Sequence, residues 1–151
     1  MEVFVLKCLI FFLIIPTLLF SNQINYKGLY IIGSNFDIIR VKKMIDILEK
    51  VKNDQTHSYL QVIKDCGLKG IIIYHKNDGI IGYNVSGHKD IYINMFSKRT
   101  DEQLVETIVH ETVHLMSHGM NYEDDYEESI CKEISKTAIE DFTIWKIINN
   151  F

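Results

Sequence analysis

Apolar residues recur along this chain at two spacings, and the alternation between them predicts an order of strand, two helices, three strands and two helices. Between Gly28 and Gly33 the run Leu29-Tyr30-Ile31-Ile32 reads as a short strand leading into a turn. From Asp37 to Lys52 the set Ile38, Val41, Ile45 and Leu48 returns every three or four residues with charges on the other side, the pattern of an amphipathic helix. Asn53-Asp54 breaks it. A weaker helix from Asp54 to Cys66 turns Tyr59, Leu60 and Ile63 inward and ends at Gly67. Lys69 to His75 is a β-branched run, Asn77-Asp78-Gly79 is a hairpin-turn signature ahead of a second strand from Ile80 to Val85, and Lys89 to Met95 alternates like a strand with one covered face. Thr100, with Gln103 three residues on and Asp101 and Glu102 between, starts a helix that should stop at Gly119. A last helix runs from Tyr122 or Glu123 to Ile148, with Ile130, Ile134, Ala138 and Trp145 on its inner stripe. The order predicts one α+β domain with a small mixed sheet.

One stretch has no polar face. Cys8 to Phe20 carries no charge, follows Lys7 and is closed by Ser21, Asn22, Gln23 and Asn25, the layout of a secretory signal peptide. The run is short for a hydrocarbon core, which takes about 20 residues, but Val3 to Phe20 would span one if left uncleaved. The expectation is export, to a periplasm or the exterior. Residues 1–21 act as signal peptide or N-terminal anchor (through residues 3–20), and residues 22–151 as the working domain. Membrane association is expected through that segment alone.

With 151 residues and 47% hydrophobic content, the chain has material for one domain and little else. Its net charge of −4, which the loss of Glu2 and Lys7 leaves unchanged, argues against nucleic acid as a partner. Removing Cys8 leaves Cys66 and Cys131 in a compartment that permits disulfides. Either the two pair, or Cys131 is a small apolar residue packed on its helix. No C-x-x-C occurs, which removes zinc-ribbon and thioredoxin-type readings.

The helix from Thr100 carries His110-Glu111-Thr112-Val113-His114. Histidines four apart share one face, so both imidazoles can reach one cation while Glu111 projects beside them towards a metal-bound water. Leu104, Val105, Ile108, Val109, Thr112, Val113, Leu115 and Met116 fill the opposite arc, which gives this helix a greasy back and a chemical front. A catalytic zinc needs three protein ligands and a water, and the third ligand should come from the neighbouring helix. That helix opens with Glu123-Asp124-Asp125-Tyr126-Glu127-Glu128, some of which serve its N-terminus electrostatically. The stripe of Ile130, Ile134, Ala138 and Trp145 places Glu127 inward and Glu128 about 100° round.

His110-Glu111-x-x-His114 followed by Glu128-x-x-Cys131-x-x-Ile134-Ser135 resembles zincin metallopeptidases of the gluzincin type, over roughly residues 69–148. The strand, hairpin and zinc-helix order is similar to the small catalytic domains related to anthrax lethal factor and to the peptidases that cleave phage-type repressors. The resemblance implies a zincin-like fold and Zn2+ as cofactor, with His110, His114 and Glu128 as ligands, Glu127 staying open as the alternative to Glu128. It also implies an oxyanion-stabilising side chain, for which Tyr122 and Tyr126 are candidates, and an edge strand for an extended peptide, for which Lys89 to Met95 is the candidate. The expected function is a zinc-dependent endopeptidase acting on a peptide or protein substrate, with Glu111 activating a zinc-bound water. The alternative is an exported domain that binds metal or protein on the same scaffold without turnover.

Overall fold

Local turns and caps determine where each element begins. Lys27 and Gly28 both take positive φ, 49° and 83°, the conformation of a two-residue hairpin turn whose twist suits the flanking strands. They fold β1 (Asn22–Tyr26) antiparallel onto β2 (Leu29–Gly33). The computed structural model describes residues 21–53, 56–117 and 124–150. Ser34 then caps α1 (Asn35–Lys50), its hydroxyl accepting from the Asp37 N–H. A small ladder of β3 (Lys52–Asn53) and β4 (His57–Ser58) precedes α2 (Tyr59–Asp65), which Ser58 caps in the same way. β5 (Gly70–Tyr74), β6 (Gly82–Asn84), β7 (Asp90–Asn94), α3 (Asp101–Ser117) and α4 (Asp124–Ile148) complete the order.

The main sheet runs β1-β2-β5-β7-β6, with β2, β5 and β7 parallel and the two outer strands antiparallel to their neighbours. Alternate residues Leu29 and Ile31, Ile71 and Ile73, and Ile91 and Ile93 are buried, and they share one core with Val41, Met44, Ile45 and Leu48 of α1 and Leu104, Val105 and Ile108 of α3. The fold is therefore α+β with a mixed sheet. α3 and α4 lie against each other, tied at one end by Lys146 Nζ to Glu102 at 2.7 Å and at the other by Glu127 to His114 at 2.7 Å. Arg40 of α1 fixes the start of α3 through Asp101 at 3.2 Å.

Several expectations need correction. β1 falls in polar residues expected only to close the N-terminal segment, and the β1–β2 turn supplies the pairing that makes it a strand. The second helix starts at Tyr59 and not at Asp54, because Ser58 caps it and His57 is held in a ladder with Asn53. Asn77-Asp78-Gly79 does not make a hairpin of β5 and β6. The buried Asn94 side chain donates to the Lys76 and Ile80 carbonyls at 2.7 and 2.8 Å and accepts from the Lys76 N–H, so that segment is bonded to β7. β7 lies between β5 and β6, so Lys89 to Met95 is interior and β6 is the edge. On α4 the buried line is Cys131, Ser135, Ala138 and Phe142, while Ile130, Ile134 and Trp145 are only partly covered. Cys66 and Cys131 are both free. Cys131 is buried as a small apolar residue, and burial pushes its thiol up to about 12. No helix of the described residues is long and apolar enough to cross a membrane. Residues 1–20 of the expected signal or anchor segment 1–21, the helix stop at Gly119 and the candidate Tyr122 lie outside the described residues.

Candidate metal centre

α3 begins with a reciprocal cap: the Thr100 N–H donates to Gln103 Oε1 at 2.9 Å, and the Gln103 N–H donates to Thr100 Oγ1 at 3.2 Å. From there the helix carries Leu104, Val105, Ile108, Val109 and Val113 into the core. Its other side turns His110, Glu111 and His114 toward β6 and α4.

The two Nε2 atoms of His110 and His114 are 3.2 Å apart. Glu128 Oε2 lies 3.5 Å from the first and 3.3 Å from the second. The triangle fits a tetrahedral zinc, whose bonds of about 2.0–2.1 Å separate adjacent ligand atoms by about 3.3 Å. Two imidazoles and one carboxylate are also the donor set that such a cation takes. Glu127 and Glu128 flank the buried line of Cys131, Ser135, Ala138 and Phe142 on α4, each about 50° from its mean direction. Their contacts separate the two: Glu128 Oε2 meets both Nε2 atoms, whereas Glu127 Oε1 meets His114 Nδ1. Lys132 Nζ contacts the other oxygen of Glu128 at 3.2 Å, which leaves Oε2 for the imidazoles. Burial works against the charge of Glu128, but Lys132 and the two histidines outweigh it and hold the carboxyl below its ordinary pKa.

Glu127 has a different task. Its Oε1 lies 2.7 Å from His114 Nδ1 and also accepts from the Ser117 hydroxyl, which in turn is 2.9 Å from the His114 carbonyl. Because a carboxylate accepts, Nδ1 carries the proton and Nε2 presents its lone pair to the triangle. One glutamate faces the ligand atoms; its neighbour orients the ring that supplies one of them.

Glu111 is 9% exposed, and burial raises its pKa against the opposing pull of His110, His114 and Asn84. Asn84 Nδ2 donates to Glu111 Oε2 at 3.2 Å from the edge strand β6. The strand comes this close because residue 82 is glycine: a Cβ there would sit 2.6 Å from Thr107 Cγ2 and 3.2 Å from Glu111 Cγ. Beside these groups opens a cleft of about 650 Å³, with His110, Glu111 and Glu128 in its wall and Ile80, Ile81 and Phe96 among its other lining residues.

The structure brings together His110, Glu111, His114, Glu127 and Glu128. Tyr126 is exposed and is not among the residues lining the cleft. Asn84, Gly82, Lys132 and Ser117 were not singled out from sequence. Lys132 alone had a local signal, since it stands four residues after Glu128 on a helix. Compared with family models, curated proteins and solved structures, the chain matches none.

Proposed function

We propose that the protein is a zinc-dependent peptidase in which His110, His114 and Glu128 hold the metal and Glu111 is the general base. The observation that carries this reading is the triangle of Nε2, Nε2 and Oε2, with sides of 3.2–3.5 Å, flanked by a buried carboxylate that is no part of it. A zinc ion held there supplies Lewis acidity toward a peptide carbonyl and toward water. Glu111 takes the proton released as water attacks and gives it to the departing amine nitrogen. Asn84 holds the Glu111 carboxylate in place by its hydrogen bond. Glu127 keeps the His114 lone pair directed at the triangle. Among the described residues β6 is the edge of the sheet beside the cleft, and its outer side takes over the task of pairing with an extended peptide expected of Lys89 to Met95. The fold around the site is read as zincin-like on the same grounds, and export of the domain rests on the apolar run Cys8 to Phe20.

The test is turnover of a peptide library by the wild type and by Glu111→Gln, with zinc content measured on both. The reading expects cleavage by the wild type only and equal zinc in the two proteins. Full zinc with no cleavage by either would move the assignment to metal or protein binding on the same scaffold.

A further inference from the structure

Arg99 lines the same cleft just ahead of α3. Its guanidinium folds back along that helix, Nη2 donating to the Gln103 carbonyl at 2.8 Å and to the Thr107 hydroxyl. Thr107 precedes His110 by three residues, a rise of about 4.5 Å, so the cation is anchored roughly one helical turn from the metal-competent triangle. Both acceptors are neutral. Among the described residues the buried Nη1 has no acceptor and no carboxylate is in ion-pair contact with this arginine. Arg40, by contrast, is ion-paired to Asp101 at 3.2 Å and also donates to the Arg99 carbonyl. Lys76 and Lys132, which also line the cleft, contact Asp78 and Glu128. Lys98, exposed on the rim, has no ion-pair contact among the described residues. Glu106 acts on Arg99 only through space. Burial lowers the Arg99 pKa, and the through-space pull of Glu106 offsets that only in part. A half-buried guanidinium with an unused donor is costly to keep, and an arriving carboxylate would relieve that cost with a charge-assisted hydrogen bond.

We propose that Arg99, with Lys98 at the rim, is a recognition site for a carboxylate on the bound peptide, about one helical turn from the bond to be cut. As a specificity site for cleavage it rests on the peptidase reading; as an anion site it does not. The carboxylate is either an acidic side chain or a free C-terminus, and the chemistry at the guanidinium is the same for both.

Arg40 and Arg99 are the two arginines of the chain, so labelling with [15N]arginine yields two Nε signals, with the ion-paired Arg40 as internal control. The full-length, zinc-supplemented Glu111→Gln protein is titrated with three N-acetylated peptides of one sequence: neutral with a C-terminal amide, the same with Gln replaced by Glu, and the neutral sequence with a free C-terminus. The Arg99 signal is expected to shift with one or both acidic peptides, at an affinity at least ~10-fold above that of the neutral peptide, while Arg40 stays in place. The peptide that causes the shift identifies the source of the carboxylate. Arg99→Gln should abolish the preference without changing zinc content. Equal affinity for all three peptides, or a preference that survives Arg99→Gln, overturns the proposal. If Arg99→Gln does not fold, the shift in the Arg99 signal of the parent protein decides by its presence or absence. Zinc content and wild-type cleavage, read separately, report on the peptidase assignment.

Discussion

His75 meets Asp37 through Nε2 at 2.9 Å, and His114 meets Glu127 through Nδ1 at 2.7 Å. In distance the two pairs are alike; in direction they are not. Asp37 is 3% exposed and also bonds Ser34, the residue that caps α1, so its carboxylate serves the start of a helix and ties in the end of β5. His75 is half exposed and has its Nε2 already engaged. His114 engages Nδ1 instead, and its Nε2 meets a second imidazole and a second carboxylate. A histidine next to an acid is therefore no sign of a metal centre. The sign is an acid on the far nitrogen, with the near nitrogens converging.

The largest effect that could break this comparison comes from removing an imidazole. His110→Ala or His114→Ala should leave no stoichiometric zinc by elemental analysis, whereas His75→Ala should keep it all; zinc lost from the His75 variant would erase the distinction. The next effect separates the adjacent glutamates. Glu128→Gln removes an anionic ligand and should weaken zinc binding more than Glu127→Gln, for which an orienting role predicts a loss of about tenfold. Chelator competition measures both, and the reverse order would exchange their roles. Gly82→Ala tests the wall that distinguishes the site from the His75 corner. The added methyl meets Thr107 Cγ2 at 2.6 Å, so denaturant unfolding should show a loss of about 1–3 kcal/mol. Turnover should fall further than zinc content, because β6 also carries Asn84. The smallest effect is that of His75→Ala on stability, about 0–1 kcal/mol for a polar contact with one half-exposed partner. A larger loss in the same unfolding experiment would mean that the pair supports the fold more than its exposure implies.

What could be read from the sequence was what is local. The His110-Glu111-x-x-His114 face and the Thr100–Gln103 cap each lie within one or two helical turns, and both are present as the spacing predicted. The stripe of α4 misled because Ile130, Ile134 and Trp145 are large and apolar. The interface with α3 instead takes Cys131, Ser135 and Ala138, small residues that let two helices approach closely. On the corrected line Glu127 and Glu128 lie to either side, and only their contacts across to α3 tell them apart. The strand order was beyond reach for a related reason. Asn77-Asp78-Gly79 is a good turn signal, but one buried side chain, Asn94 at the end of β7, captures the segment from the strand that pairs with β5. Asn84 and Arg99 have no local signature, since their meaning depends on a cleft that exists only once β6 and the start of α3 are set beside His110.

The central claim is that two imidazoles and Glu128 share one zinc. X-ray absorption at the zinc edge of the full-length protein tests it most directly. The expected spectrum has two imidazole nitrogens and carboxylate or water oxygen at about 2.0–2.1 Å with no sulfur, and Glu128→Gln should perturb it while Glu111→Gln leaves it unchanged. A shell at about 2.3 Å, the zinc–thiolate distance, would place a cysteine on the metal and contradict the account, as would a protein that binds no zinc at all.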